Sequence, residues 1–583
     1  MSDLNVFMTR RDDYDPINWL ASLYRQARQA RQRMIATWDR NYRALNNRLS
    51  SNRGYDWQPA PRSSEIYPIV SNWIAWATDN DIVIDVTPAA DPGSDYYEFN
   101  NKVANDLSAI LYSTWQSDNF TGQTKLALWD AAVCGTAIFK SVWDNQVADG
   151  YGNAQLKRRD PWTIYPDPYA TSLADVEYLV EARMMSLSEI ERRWPDSVLE
   201  VEAAGSGEDS QLDQRPRQSS DATGRNPINP GGLGTNRWGI GTDRSGEGDP
   251  TARYPVHEFW IRQSAPWYEE GEEGDKHVED CWKVFVVSRN VILMEEKAED
   301  VLPFNGHPYD DFRFDDIGEF WGVSLIQHMT EPQMYINRLL AALQMNAEMT
   351  GNPIFLEPSA SGIPRTTIVS KPGGRLPVNS SAMQSGSRPD WLQPPAMPQQ
   401  VLDLVQFWIS RMENLSGMSA VTKGAQPPTQ RSAQGTMNTI QEAAFVRVRA
   451  AQRNLERTLE SAARKLCDLM IDNYTEPRIM AIAGPGSERS AKALSARHFL
   501  VPTPEGAEPL KYSLLIQAGA AAPTSRQARV SEMDRLFQMG VVDDQAVIEA
   551  HQLPNGRDIM VRKAKKMAAG MQPPPARPRP RVG

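Results

Sequence analysis

The feature that most constrains the fold is a run of apolar residues at helical spacing in the last third of the chain. Its members recur in steps of three and four: Ile440, Ala444, Val448, Ala451, Leu455, Leu459, Ala462, Leu466 and Leu469. This spacing predicts a single amphipathic helix roughly 50 Å long. The chain also has 17 Trp and 42 Pro among its 583 residues, which favours a rigid, multi-part structural protein over a small enzyme.

Another helix is predicted near the amino terminus. Asp15 precedes Pro16, which is the usual order of an N-cap residue and a first helical residue. Between residues 20 and 53 there are eight Arg and one acidic residue. This basic face has two interpretations: a contact with DNA or an acidic partner, or a solvated helix surface.

Between these two helices the sequence shows both helix and strand patterns. Apolar residues from Phe99 to Trp115 recur at helical spacing, and Gly135 ends a further helix. Ser186 and Glu189 form a capping box for a short helix. Strand-like runs are predicted at 136–143, 162–166, 256–262 and 281–293. The predicted fold class is therefore α+β and mainly helical.

Two further helices flank an insertion that is rich in Pro and Gly. The first begins at Thr330, where Thr330 and Gln333 are expected to form a capping box. The second covers 398–417, and residues 351–396 between them leave room only for short strands. A polar loop, 419–435, then leads into the long helix.

Residues 204–253 differ in composition from the rest of the chain. Gly, Ser, Asp and Arg dominate this segment, and large apolar residues are rare in it. Such a composition buries too little apolar surface to offset the entropy lost on ordering. The sequence therefore predicts a mobile surface loop here.

Charge and composition exclude several classes of protein. The 62 Lys and Arg against 73 Asp and Glu give a net charge of −11, so the chain is not a basic protein that coats nucleic acid. The cysteines Cys134, Cys281 and Cys467 form no CxxC pair, which excludes a disulfide scaffold. No apolar run approaches a membrane span and the amino terminus lacks a signal-peptide core, so membrane insertion and secretion are not expected.

Motifs that carry catalysis are missing from the sequence. There is no GxxxxGK(S/T) phosphate loop, and the glycine-rich stretch 231–241 follows no strand. The six histidines show no metal-ligand spacing. We therefore predict no enzymatic activity, no metal and no cofactor.

Five stretches of the chain, taken together, carry a family resemblance. They are DAAVCGTAIFKSVWD (130–144), the segment from DPWTIYP to ERRWP (160–195), EPQMYINRLLAALQMN (331–346), GNPIFLEP (351–358) and LSGMSAVTKGAQPPTQRSAQGTMNTIQE (415–442). In sequence and in order they resemble portal proteins, the head–tail connectors of tailed double-stranded DNA bacteriophages.

The resemblance implies a subunit of several parts, which assembles with other copies into a ring. We expect the parts at these positions: a wing at 1–320 with the mobile loop 204–253, stem helices at 321–350 and 397–418, a clip at 351–396, a channel loop at 419–435, the long wing helix at 436–475, a crown at 476–570 and a disordered basic tail at 571–583.

The same resemblance implies a function. Portal proteins form the ring-shaped channel at one capsid vertex through which DNA is packaged and ejected. The expected partners are other copies of the chain in a ring of twelve, the terminase large subunit, a head–tail adaptor, the major capsid and scaffolding proteins, and double-stranded DNA without sequence specificity. No membrane partner is expected. The expected location is the portal vertex of the virion, after assembly in the cytoplasm of the host bacterium.

Simple geometry favours a large ring. Helices with their side chains are about 10 Å wide, so twelve side by side leave a lumen of roughly 28 Å, whereas six leave about 9 Å. Only the larger ring admits a DNA duplex. The net negative charge also suits a channel that must not hold the phosphates sliding through it.

Three sets of residues are candidates for contacts with these partners. The channel loop, which has no acidic residue, offers Lys423, Gln426, Gln430 and Arg431. The clip, as a docking surface for terminase and then the adaptor, offers Arg365, Lys371, Arg375 and Arg388. The tail, as a contact with DNA inside the capsid, offers Arg562, Lys563, Lys565, Lys566, Arg577, Arg579 and Arg581. The loop also fits an ordinary helix connector, and the tail fits a solubilising segment without a partner.

Two other classes of function stay open at this point. One is a helical scaffold or adaptor protein of the virion without a DNA channel. The other is an enzyme with an unrecognised site, against which the lack of any convergent motif argues. Large rings in electron micrographs of the purified protein separate a portal from the scaffold.

Overall fold

The computed structural model describes the following residues: 16–49, 59–78, 83–89, 97–117, 119–147, 150–203, 253–263, 281–351, 354–356, 390–392, 400–417, 446–474, 478–483, 489–494, 499–503, 506–517, 535 and 537–540. The chain forms two compact units. One consists of Met1–Asn80 with Thr114–Thr475, and the other of Asp81–Ser113 with Glu476–Gly583.

Helices and strands are mixed along the chain, which is compatible with the predicted α+β class. The helices are α1 (Pro16–Leu45), α2 (Ile66–Ala77), α3 (Tyr97–Ser117), α4 (Phe120–Cys134), α5 (Leu187–Arg193), α6 (Val198–Ala203), α7 (Ala298–Val301), α8 (Thr330–Gly351), α9 (Gln400–Ser416) and α10 (Val446–Asn473). None of them is both long and apolar enough to cross a membrane.

The strands form small antiparallel sheets. They are β1 (Val83–Pro88), β2 (Thr136–Asp144), β3 (Asn153–Arg159), β4 (Ile164–Pro166), β5 (Tyr178–Ser186), β6 (Arg253–Gln263), β7 (Cys281–Ser288), β8 (Val291–Lys297), β9 (Tyr309–Arg313), β10 (Ile354–Leu356), β11 (Asp390–Leu392), β12 (Arg478–Ala483), β13 (Arg489–Leu494), β14 (Leu500–Thr503), β15 (Gly506–Pro509) and β16 (Tyr512–Gln517). The largest sheet has the order β4-β5-β6-β7-β8, and another has the order β3-β2-β9.

Helix α1 packs on the five-stranded sheet and builds a hydrophobic core with it. Near its start Trp19 meets Phe285 of β7 edge-on, and one turn later Tyr24 meets Tyr165 of β4. Further along, Arg31 points inward and donates to the backbone carbonyls of Trp162 and Ile164, at 2.6 and 2.9 Å. One arginine of the basic helix is therefore a structural residue that ties α1 to β4.

Helix α10 packs on the three-stranded sheet. The Thr458 hydroxyl donates to the carbonyl oxygen of Asp311 at 2.7 Å, and the Lys465 ammonium lies 3.0 Å from the Asp310 carboxylate. At its carboxyl end, the Tyr474 hydroxyl donates to the Asn153 side chain at 2.9 Å. The long helix thus runs along β9 and ends against β3.

The second unit joins two distant parts of the sequence. Strand β1 pairs antiparallel with β16, from Val83 opposite Gln517 to Pro88 opposite Tyr512. The Val86 amide also donates to the Ser108 hydroxyl of α3 at 2.8 Å. Two-stranded ribbons β12–β13 and β14–β15 complete the described part of this unit.

Several predicted helix boundaries are confirmed. Helix α1 begins at Pro16, and Gly135, with φ of +86°, ends α4. The Glu189 amide donates to the Ser186 hydroxyl at 3.3 Å, as expected of an N-cap. Helix α9 ends before Gly417, whose φ of +73° is the left-handed conformation of a C′ residue.

Three local predictions are corrected. Thr330 and Gln333 form no capping box, because the Thr330 hydroxyl donates to Ile326 and the Gln333 amide donates to Ser63. The run 281–293 is a hairpin of two strands, turned at Arg289 with φ of +54°. In the run 162–166 only the last three residues form a strand, because Asp160 caps a short turn of 3₁₀ helix before them.

Candidate functional site

The residues predicted to contact partners all lie outside the described part of the chain. They are Lys423, Gln426, Gln430 and Arg431 of the channel loop, Arg365, Lys371, Arg375 and Arg388 of the clip, and Arg562, Lys563, Lys565, Lys566, Arg577, Arg579 and Arg581 of the tail. The predicted mobile loop 204–253 also lies outside it, except for Arg253 at the start of β6. The structure does describe the elements next to the clip and the channel loop, which are α8, β10, β11 and α9.

Helices α8 and α9 pack against each other, and we call them the stem pair. Tyr335 of α8 stacks on Trp408 of α9, with ring centroids 5.1 Å apart and planes 15° apart. Ile336 and Met412 are fully buried. An aromatic stack and buried apolar side chains therefore supply the contact between the two helices and the contact with the rest of the unit.

Polar side chains fix the base of the stem pair. The Gln333 amide donates to the Ser63 carbonyl at 2.6 Å, and its oxygen accepts from the Glu65 amide at 3.1 Å. Asn337, one turn further, accepts from the Ser63 amide at 3.2 Å. Because Gln333 and Asn337 are themselves buried, these bonds hold α8 to the segment before α2 in one register.

The clip and the channel loop attach at opposite ends of α9. The clip residues 357–389 connect β10 to β11, which pair antiparallel as Phe355 opposite Trp391, and β11 leads into the start of α9. The channel-loop residues 419–435 follow the end of α9. A helix of 17 residues is about 25 Å long, and this length separates the two attachment points.

Five large apolar side chains of the stem pair are exposed to solvent. Those exposed are Tyr335, Met349, Leu402, Leu404 and Phe407. Phe407 is the most exposed of them, at 57%. Five of the sixteen exposed large apolar side chains among the described residues thus lie on these two helices, and such exposure is typical of a surface that contacts another protein.

A buried cluster of charges joins the three-stranded and the five-stranded sheet. The Lys140 ammonium of β2 lies 3.0 Å from the carboxylate of Glu181 on β5 and 2.6 Å from that of Glu258 on β6. The second oxygen of Glu181 lies 3.0 Å from Nε of Arg159 on β3. The Tyr309 hydroxyl of β9 donates to Glu181 at 2.7 Å. Residues of both sheets therefore share one network, which we call the charge cluster.

Burial and mutual attraction shift the pKa values in the charge cluster. Burial alone would raise the pKa of Glu181, but the neighbouring Arg159, Arg183 and Lys140 hold it well below its usual range. Burial lowers the pKa of Lys140, against the attraction of Glu181 and Glu258. Burial and the carboxylates raise the pKa of Tyr309 far above its ordinary value. The carboxylates stay ionised at neutral pH, and the phenol stays protonated.

The charge cluster is a structural link and lacks the features of a reaction centre. Its carboxylates are paired with cations and accept from hydroxyl or indole donors, such as Trp260, which donates to Glu258 at 2.7 Å. Within the described residues no group of His, Cys, Asp and Glu is arranged to hold a metal ion. One weak signal for it was visible in the sequence, a lysine in the mainly apolar strand run 136–143.

Comparison with known proteins assigns the chain to a family. The family model of the phage P22-like portal protein matches residues 26–581, nearly the whole chain. No curated protein matched the chain. Portal proteins of phages are structural components of the virion rather than enzymes. With a match of this length, the chain belongs to the phage P22-like portal protein family.

Proposed function

We propose that this chain forms the ring-shaped channel at one vertex of a phage capsid, through which double-stranded DNA is packaged and later ejected. Membership of the portal family supports this function. The structural observation that carries it is the exposed apolar surface of the stem pair, with Phe407 as its most exposed large side chain.

In the proposed ring the stem pairs of neighbouring copies pack side by side around the channel. Full burial of an exposed large apolar side chain contributes about 1.5–3 kcal/mol. The five side chains of the stem pair are 42–57% exposed, so each supplies about half of that. Twelve copies, each contributing one helix about 10 Å wide to the channel wall, leave a lumen of roughly 28 Å. A ring of twelve is therefore the proposed assembly.

The parts of the proposed subunit follow the expected map. Residues 1–320 and 436–475 form the wing, 321–350 and 397–418 the stem, and 476–570 the crown. The clip, 351–396, docks the terminase large subunit during packaging and a head–tail adaptor afterwards. Its basic side chains then face partners outside the capsid, while capsid and scaffolding proteins contact the wing.

The channel loop, 419–435, is proposed to lie at the narrowest part of the channel. Lys423, Gln426, Gln430 and Arg431 provide amide and cationic groups that touch a moving duplex without reading its sequence. An alternative in which these residues form an ordinary connector predicts that they lie on the outside of the ring. Cross-linking of the loop to stalled DNA in partly filled capsids distinguishes the two.

The experiment that tests the ring is electron microscopy of the purified protein, with native mass spectrometry to count subunits. Wild-type protein is expected to show rings with a central channel. F407D is expected to remain folded and to lose most of its rings, because it charges the exposed stem surface. Y169D, at a side chain that is 90% exposed on the loop after β4, is the matched control and keeps its rings.

The competing function is a scaffold or adaptor protein of the virion without a DNA channel. It predicts monomers, small oligomers or rings too narrow for a duplex. Either result with the wild-type protein contradicts the proposed channel. Packaging tests with a clip deletion of 359–385 then examine docking separately, since normal packaging by that variant removes the proposed role of the clip.

A further inference from the structure

A helix face and a pocket of the first unit are complementary in chemistry. We infer that, in the ring proposed above, the arginine face of α1 in one copy docks into the pocket between β7, β8 and α7 of the next copy. This inference rests on the proposed ring, and it names the surfaces through which neighbouring wings recognise each other.

The outward face of α1 is basic and carries no exposed acid. Arg33 and Arg40 are exposed on it, among glutamines and an alanine. Asp39 is the single acidic residue of the helix, and it lies 2.7 Å from Arg43. The side chain of Arg40 also reaches Glu331 of α8 at 3.4 Å, although both side chains remain more than half exposed. A partner that covers this face must therefore offer negative charge.

The pocket lies at the edge of the five-stranded sheet. Its volume is about 350 Å³, and Trp282 lines it beside the carboxylates of Glu295, Glu296 and Asp300. Two lysines also line it, of which Lys283 lies 2.5 Å from Glu295. Glu296 and Asp300 are both exposed, so that carboxylates are available to an incoming cation.

Arginine fits this pocket better than other cations. Its planar guanidinium stacks on an indole ring and donates two parallel hydrogen bonds to a carboxylate. The exposed carboxylates of Glu296 and Asp300 offer the hydrogen bonds, and Trp282, which is 8% exposed, offers a small part of its indole ring beside them. Exposed charge pairs of this kind contribute more to the specificity and orientation of a contact than to its affinity. The expected role is therefore to set how neighbouring wings are aligned.

The two surfaces of one chain cannot meet each other. Trp19 of α1 packs against Phe285, and Phe285 lies opposite Glu295 in the sheet, so the pocket is near the start of α1. Arg33 and Arg40 follow Trp19 along the helix by about 20 and 30 Å respectively. In the proposed ring the contact between copies is therefore head-to-tail, the type of interface that forms a ring when the rotation between copies closes.

Cysteine cross-linking tests the contact in the full chain. Cys281 lines the pocket and is half-buried, whereas Cys134 and Cys467 are buried. With a short bis-maleimide, R33C or R40C is expected to form a ladder of covalent multimers within rings. R33C/C281S lacks the pocket thiol and is expected to form none. L199C, exposed on α6, is the positional control and is also expected to form none.

Charge exchange provides a second measurement. R33E/R40E is expected to lower the yield of rings at low salt several-fold, and adding E296R/D300R to it is expected to restore most of that yield. This inference is overturned if the wild-type protein forms rings while R33C and R40C give no cross-links and the charge variants give an unchanged ring yield. That result leaves the proposed channel standing. Absence of rings from the wild-type protein contradicts the channel itself.

Discussion

Lys140 of β2 lies with its ammonium 3.0 Å from the carboxylate of Glu181 on β5, although the two strands belong to different sheets. Both side chains are almost completely buried, with exposed fractions of 6% and 0%. Among the described strands no hydrogen-bond ladder joins these sheets, and the pair and its neighbours form a polar connection between them. Removing one partner leaves the other charge buried without full compensation.

K140M is expected to lower the free energy of unfolding of the first unit by about 3–5 kcal/mol, because it leaves Glu181 and Glu258 short of one cation. Chemical denaturation followed by tryptophan fluorescence measures the loss. The matched control is K157M, which removes a partly exposed partner of Asp144 in the same sheet. Its expected cost is about 1 kcal/mol or less. Equal costs for both variants contradict the role given to the charge cluster.

Acid is expected to destabilise the first unit well before its carboxylates titrate. Burial lowers the pKa of His257 and of His307 from 6.5 to about 4. In the unfolded chain these two imidazoles take up protons below about pH 6.5, whereas in the folded chain they stay neutral until about pH 4. The free energy of unfolding therefore falls as pH drops through that window. Between pH 7 and pH 5 the free energy of unfolding is expected to fall by about 2 kcal/mol for each of the two histidines.

Denaturation of H257F at both pH values checks this dependence. Phenylalanine cannot take up a proton in the unfolded chain, so the variant is expected to lose about 2 kcal/mol of the pH dependence. The matched control is H328F at an exposed position, which is expected to keep the wild-type dependence. A variant H257F with the full wild-type dependence contradicts the assignment to His257.

G135A is expected to prevent stable folding. A Cβ atom at Gly135 would lie 1.8 Å from the carbonyl oxygen of Gly322, and φ there is +86°. We expect a loss above about 4 kcal/mol, since neither backbone can move away. The control is G150A, where φ is +91° but nothing lies within 4 Å, at an expected cost of about 1–2 kcal/mol. Similar melting temperatures for the two variants contradict the close crossing.

Truncation after Gly556 is expected to leave the rings intact and to reduce their retention of DNA at low salt. It removes eight basic residues and one acidic residue, Asp558. Each lost phosphate contact makes the dependence of binding on salt concentration less steep. Filter binding across a salt series measures this slope, and an unchanged slope shows that the tail does not touch DNA.

The sequence alone predicts most elements of the first unit because their signals are local. Pro16 at the start of α1, the Ser186 cap and Gly135 after α4 each act within a few residues, and all three are observed. The paired helices and their separation by β10 and β11 follow for the same reason. Apolar periodicity then indicates which face of each helix is buried.

Features that depend on distant partners are not visible in the sequence. Lys140 looks like an outward residue of a strand until β5 and β6 place Glu181 and Glu258 against it. Gln333 has the spacing of a capping residue, yet its side-chain amide donates to the backbone carbonyl of Ser63, which is far away in sequence. The pocket beside Trp282 requires β7, β8 and α7 together. In each case the tertiary contact outweighs the local preference.

The pairing of β1 with β16 has a consequence for synthesis of the chain. Thr87 and Ser513, which meet across this pair, are 426 residues apart. At about 5–20 residues per second, β1 is synthesised roughly 20–85 s before its partner strand. During that wait Asp85 and Pro88 disfavour pairing of the open strand with other chains. Only nascent chains translated past Gln517 can complete this strand pair, so truncated translation products leave β1 unpaired.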